Sequence, residues 1–203
     1  MTTGRLEAFT DAVLAIIITI MMLELHAPGG TSLQDLWTTT GAGLLTYLLT
    51  FVYVGIYWNN HHHMFQLAAR VSGGVLWANL HMLFWISLFP FTTSWMDETD
   101  FARIPVIVYG VNLLCAGISW IILEQLIIRT EGPESRLREA LGADWKGRIS
   151  ALIYVSGVAV AFLNSVLAVA AYAAVALLWL VPDRRVERAI NHVPPPAASP
   201  EDI

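Results

Sequence analysis

From Ile149 to Val181 the chain carries no Asp, Glu, Lys or Arg. One helix over that stretch would measure about 50 Å, against a bilayer hydrocarbon core of roughly 30 Å. Two short helices turning near Asn164-Ser165 fit such a core. The rest of the chain agrees, because only 13% of its 203 residues are charged while 56% are hydrophobic. Soluble domains carry roughly 25% charge, and a fold of this size could not cover its surface with so little. Mean hydropathy is +0.60. The expected fold class is all-α, a polytopic membrane protein.

Apolar runs place six spans, at about 8–25, 38–58, 71–95, 104–128, 149–163 and 165–181. Pro28-Gly29-Gly30 stops the first, and Pro105 suits the first turn of the fourth. Asp11 lies within the first run and Leu25-His26-Ala27 is a poor cleavage site, so this segment reads as a retained helix rather than a signal peptide. The charged stretch from Thr130 to Arg148 reads as a short surface helix. Residues 1–190 then form one six-helix unit. The proline-rich tail, 191–203, has nothing to bury and is expected to be disordered.

Charge placement supplies an independent check. With six spans, Arg5, Arg70, Arg129, Arg136, Arg138, Lys146, Arg148, Arg184, Arg185 and Arg188 fall on one side and only Arg103 on the other. This is a strong positive-inside signal with both termini cytoplasmic. Reading the last run as one span would move Arg184, Arg185 and Arg188 outside. The net charge of −5 says less than this distribution. No basic patch with interleaved aromatics points to nucleic acid, and the single cysteine, Cys115, excludes an intrachain disulfide.

Polar residues inside a span are costly and read as functional. The first span opens with Arg5-Leu6-Glu7-Ala8-Phe9-Thr10-Asp11 and closes with Glu24. On a helical wheel Phe9, Ala12, Ile16, Thr19, Ile20 and Leu23 share one face, Asp11 projects about 140° from it, and Glu24 flanks it at about 80°. Spacing alone makes Ile16, Ile20 and Leu23 ordinary lipid-facing or core residues. Arg5 and Asp11, six residues apart, cannot form a simple intrahelical pair.

Arg5-x-x-x-Phe9-Thr10-Asp11 resembles the R-x-x-x-F-S-D signature of the transmembrane protein 175 family, the endolysosomal potassium channel and its prokaryotic relatives. The run Ala12 to Thr19, Leu23-Glu24-Leu25 and Pro28 are similar to that family as well. So are Trp58-x-x-His61-His62-x-x-Phe65 and Asn79-Leu80 through Ser87-Leu88-Phe89-Pro90-Phe91. The likeness covers the first three spans; the last three agree in number and hydrophobicity. Thr10 departs from the usual serine but keeps the hydroxyl.

The resemblance implies a homotetramer in the plasma (inner) membrane of a prokaryote, with the first helix of each subunit lining a central pore for K⁺ ions. Ile16, Ile20 and Leu23 would form stacked apolar rings, Ile16 the main constriction, with Thr19 adding hydroxyls and sharing selectivity with Ile16. Arg5, Phe9, Thr10 and Asp11, with Trp58, His61, His62 and Asn79, would tie this helix to its neighbours. Such a filter is unlike a carbonyl cage and gates by dewetting. No cofactor is implied.

His61-His62-His63 invites a metal reading, but consecutive helix positions project about 100° apart and cannot all face one ion. No metal site is expected; His61 or His62 is expected to hydrogen-bond at the end of the second span, near Asp11. Asn79 and His81 read as interior polar residues, Glu124, Gln125 and Arg129 as interfacial, Asn112 as a helix contact, and Asp97, Glu98 and Asp100 as an acidic external loop. The competing class is a proton-coupled secondary transporter using Asp11 or Glu24, although neither broken-helix pairs nor an inverted repeat stand out. An intramembrane enzyme ranks last, because no nucleophile–base spacing appears.

Overall fold

The computed structural model describes residues 2–133, 135–141 and 145–180. The expected tail at 191–203, the end of the sixth expected span at Val181 and the trio Arg184, Arg185 and Arg188 lie outside the described residues. Among those described, the regular structure is helical: α1 (Thr3–Leu23), α2 (Leu33–Leu67), α3 (Gly73–Ser87), α4 (Phe89–Glu98), α5 (Arg103–Glu131), α6 (Arg136–Leu141), α7 (Trp145–Ala161) and α8 (Ser165–Leu180). Four stretches are long and apolar enough to cross a bilayer: α1, α2, α3 with α4, and α5. At 16 residues α8 is apolar but shorter.

A helix satisfies the backbone of such long apolar runs in lipid one segment at a time. The run Ile16-Ile17-Ile18-Thr19-Ile20 has weak intrinsic helix propensity. In hydrocarbon, however, each backbone N–H and C=O must be satisfied within the protein, and a helix does this within a single segment. The ends are set by side chains. Ser32 accepts from the Asp35 backbone N–H at 3.1 Å and Asp35 accepts from the Ser32 backbone N–H at 3.0 Å, a complete capping box for α2. Ser72 caps α3 through the Val75 N–H. Between α7 and α8 the chain turns at Asn164, whose Oδ1 accepts from the Leu167 N–H at 3.1 Å.

Three boundaries differ from the sequence reading. Helix α2 runs well past Trp58 to Leu67, so all three histidines are helical. The third expected span is two helices, because Pro90 in the first turn of α4 has no N–H to continue the ladder and the chain breaks at Leu88. Helix α7 begins at Trp145, ahead of the expected Ile149, and takes in Lys146 and Arg148.

Helix α5 is the hub, packed against α3, α4, α7 and α8. Its buried residues include Val106, Tyr109, Leu113, Ala116, Leu123 and Ile127. Helix α1 packs mainly on α2, α3 and α4, on the far side from the α7–α8 pair. The two sides are joined through tyrosines: the Tyr53 hydroxyl of α2 donates to the Tyr172 carbonyl of α8, and Tyr154 of α7 donates to Tyr53 at 3.3 Å. The Tyr172 ring fits because Gly157 has no side chain; a Cβ there would lie 2.5 Å from the ring.

Two polar residues sit differently from expectation. His81 is exposed rather than interior, its Nε2 accepting from the Trp85 indole N–H at 2.9 Å. Glu124 is buried in α5 rather than snorkelling to an interface. Asn112 does make a helix contact, donating to Thr92 at 3.3 Å.

Candidate pore helix and its anchors

The residues of α1 divide cleanly by face. Leu6, Thr10, Leu14, Ile17 and Met21 recur at steps of three and four and are buried against the bundle. The opposite face carries Phe9, Ala12, Ile16, Thr19, Ile20 and Leu23, all exposed in the single chain. Exposure is 56% at Ile16, 41% at Ile20 and 83% at Leu23, against 3% at Ile17 and Met21. Adjacent isoleucines therefore have opposite surroundings, a distinction that comes from helix rotation and not from residue type.

That rotation is set by a polar chain across three helices. Asn79 on α3 donates to the Thr10 hydroxyl on α1 at 2.9 Å, and its Oδ1 lies 3.0 Å from His61 Nε2 on α2. With the amide N–H committed to Thr10, Asn79 offers His61 an acceptor, so His61 donates through Nε2. All three residues are buried. In so apolar a bundle an unmet polar group is costly, so the three groups hold one another in register.

A second, more exposed set lies alongside. The Trp58 indole N–H donates to Asp11 Oδ1 at 3.1 Å. Trp58 stacks over His62, with ring centroids 6.5 Å apart and planes 15° from parallel. His62 Nδ1 lies 3.9 Å from Glu7 Oε2, beyond hydrogen-bond length, and its Nε2 meets the Gln66 amide at 2.7 Å. The histidine run thus splits as helical spacing demands: His61 faces α3, His62 faces α1. Among the described residues no group of three or more His, Cys, Asp or Glu could hold a metal ion.

Arg5 and Phe9 are not drawn into these contacts. Both are exposed, Phe9 on the face it shares with Ile16, and no carboxylate among the described residues pairs with Arg5. The Thr19 hydroxyl donates to the Ile16 carbonyl at 2.8 Å, which spends its proton on the backbone and leaves oxygen lone pairs outward.

Beside the exposed face lies a cavity of about 730 Å³, lined by Ile16, Ile20 and Glu24 of α1 and by Phe91, Ser94 and Glu98 of α4. At its end the Ser94 hydroxyl lies 3.2 Å from Glu24 Oε2 and 3.0 Å from Glu98 Oε1. One O–H can serve only one carboxylate at a time, so this end is acidic and under-donated. Asp97 and Glu98 belong to the last turn of α4 rather than to a loop. Ser94 escaped the sequence reading, since its separation from Glu24 closes only when α4 folds against α1.

Comparisons with known proteins bear on this arrangement. The family model described as "Endosomal/lysosomal potassium channel TMEM175" matches residues 5–90, which hold α1, its anchors on α2 and α3, and the break before Pro90. A potassium channel of Chryseobacterium sp. is 50% identical, covering 94% of this chain and 99% of that protein. The endosomal/lysosomal proton channel TMEM175 of Danio rerio is 32% identical over 61% of this chain but only 24% of its own length. Among solved structures, the crystal structure of a lysosomal potassium-selective channel TMEM175 homolog from Chamaesiphon minutus superposes with a TM-score of 0.75. It is 26% identical over 90% of this chain and 98% of that one. Half-identical from end to end with one such channel and sharing the fold of another, the chain belongs to the TMEM175 family of ion channels, not to a family of enzymes.

Proposed function

We propose that the protein is a potassium-permeable cation channel, a homotetramer whose α1 helices line a central pore. The observation that carries this reading is the exposed apolar face of α1 in a chain whose channel relatives are named for potassium. Ile16, Ile20 and Leu23 supply three successive apolar rings, with Ile16 the main constriction and Thr19 one turn away. Selection follows from the cost of stripping water at so narrow a ring. The weakly hydrated K⁺ loses its shell more readily than Na⁺, and Thr19 oxygens replace part of it. Gating is by wetting and dewetting of the rings as α1 shifts. No cofactor takes part; the permeant ions are K⁺.

In this reading α7 and α8 complete six spans, residues 1–190 form the channel subunit, and both termini lie in the cytoplasm of a prokaryote, in its inner membrane. The ten-to-one division of basic residues supports that orientation. Thr10 and Asp11 in the cytoplasmic half of α1, with Asn79, His61, Trp58 and His62 on the helices beside it, then set its rotation, while Arg5 and Phe9 of the same signature stay exposed. Glu24 and Glu98 give the outer mouth a cation-attracting field. The transporter alternative draws no support from α1, which runs unbroken from Thr3 through Asp11 to Leu23, just before Glu24.

The test is electrical. Purified protein in planar bilayers should give unitary K⁺ currents, from particles whose mass in detergent corresponds to four chains. Slow, saturable flux without unitary events, or a monomeric particle, would sink the proposal.

A further inference from the structure

Helix α5 ends at Glu131, and its last two residues reach across to the turn that joins α2 to α3. The Glu131 carboxylate accepts the Ala69 backbone N–H through Oε1 at 2.7 Å, where the chain leaves α2. Thr130 holds the other end of the turn. Its hydroxyl proton goes to the Leu126 carbonyl at 2.7 Å, so its oxygen accepts, at 3.1 Å, from Ser72, the residue that caps α3. Both ends of the α2–α3 turn are thus tied to one turn of a third helix.

The second Glu131 oxygen is also used. Gly132 stops α5 with a φ of 83°, a left-handed conformation open to glycine. The chain reverses and brings back Ser135, 1% exposed, whose hydroxyl donates to Glu131 Oε2 at 2.7 Å. Ser135 also accepts the Arg138 N–H at 3.4 Å, at the start of α6. Helix α6 in turn lies on α2 and α5, with Leu137 and Ala140 buried. Hydrogen bonds to a carboxylate are stronger than those between neutral groups. Here one carboxylate joins the end of α2, the end of α5 and the start of α6.

Its position gives this clamp leverage on the pore helix. His61 lies about two turns before Ala68, and Asn79 about two turns after Ser72. The clamp and the His61–Asn79 bond therefore close the same pair of helices at two levels about 10 Å apart. Parting α2 and α3 by about 1 Å would stretch the 3.0 Å bond between His61 and Asn79 past hydrogen-bond length. The hold of Asn79 on Thr10 of α1 would loosen with it. We propose that Glu131 is a positioning residue for the channel: it keeps α2 and α3 at the separation the Thr10–Asn79–His61 chain requires, and so fixes the rotation of α1. Neither of its bonds goes to α1 itself. That the fixed face meets ions rests on the channel reading above; the link from Glu131 to α1 rotation stands without it.

The test compares two cysteine positions on α1 in full-length protein in detergent. Ile16→Cys and Ile17→Cys, each with Cys115→Ala, are labelled with N-ethylmaleimide. With Glu131 intact, the exposed position 16 should label much faster than the buried position 17. Glu131→Ala should narrow that margin several-fold. Glu131→Gln still accepts from Ala69 and can donate to Ser135, so it should keep the margin close to that of the parent. Gly157→Ala loosens the far side of the bundle and controls for general destabilisation; it should leave the margin unchanged. A margin unaltered by Glu131→Ala, or narrowed as much by Gly157→Ala, would overturn the proposal. In bilayers the open probability should change in Glu131→Ala and not in Glu131→Gln, and no change in either would overturn it as well. Absence of unitary currents in the parent protein would count against the channel reading alone, and the labelling margin would still decide the role of Glu131.

Discussion

Asn79 on α3 donates its side-chain N–H to the hydroxyl of Thr10 on α1 at 2.9 Å, with both residues buried. This bond, continued to His61 on α2, sets which face of α1 turns away from the bundle. Asn79→Leu removes the partner of two buried groups at once. It should cost about 1–3 kcal/mol, read as a lower melting temperature in detergent. Because the groups act as one chain, Thr10→Val combined with Asn79→Leu should cost less than the sum of the single changes. Strict additivity would argue against a shared network.

The Trp58–Asp11 bond should behave differently. It is exposed and screened by solvent, so Trp58→Phe should change stability by less than about 1 kcal/mol. It nonetheless frees Asp11 and one side of α1, so the expected change is in channel open probability, measured in single-channel records. A large loss of melting temperature with unaltered gating would reverse the assignment.

At the proposed constriction, Ile16→Asn replaces an apolar ring with an amide that holds water. Conductance should rise and K⁺/Na⁺ discrimination should fall, seen as a shift in reversal potential under opposed K⁺ and Na⁺ gradients. Thr19→Ala should lower discrimination with a smaller change in conductance, since it removes oxygens but no bulk. Unchanged reversal potentials in both variants would contradict the role given to this face.

How much of this was legible in the sequence depended on whether the signal was local. The helical wheel separates Ile16 from Asp11 because 100° per residue holds along any unbroken α1. Turn chemistry at Asn164 and Pro105 is local too. The α3–α4 break had its cue in Pro90, but the apolar run through Ser87-Leu88-Phe89 outweighed it. The overlong α2 escaped because polar Asn59, Asn60 and three histidines look like a helix end, whereas His61 finds its partner, Asn79, on α3. His81 and Glu124 were misplaced for the same reason: burial of a polar residue depends on the rotation of its helix, which hydropathy does not carry. The Tyr53–Tyr154–Tyr172 cluster, with Gly157 making room, exists only once α2, α7 and α8 meet.

That cluster yields a prediction of opposite sign to most core changes. The Tyr172 hydroxyl is buried with no hydrogen-bond partner among the described residues. A stranded hydroxyl costs about 1–3 kcal/mol, so Tyr172→Phe should leave the melting temperature unchanged or raise it. Gly157→Ala, by contrast, would press a methyl group into the Tyr172 ring and should cost about 1–3 kcal/mol. A marked fall in melting temperature for Tyr172→Phe would show that the hydroxyl is used.

The central claim is that α1 turns one face to ions and the other to protein. Cysteine accessibility tests it most directly, in a Cys115→Ala background and with a charged thiol reagent applied during K⁺ current recording. The account predicts that Ile16→Cys, Ile20→Cys and Leu23→Cys channels are blocked by the reagent, whereas Ile17→Cys and Met21→Cys channels are not. Block at Ile17 or Met21 with none at Ile16 and Ile20 would contradict it.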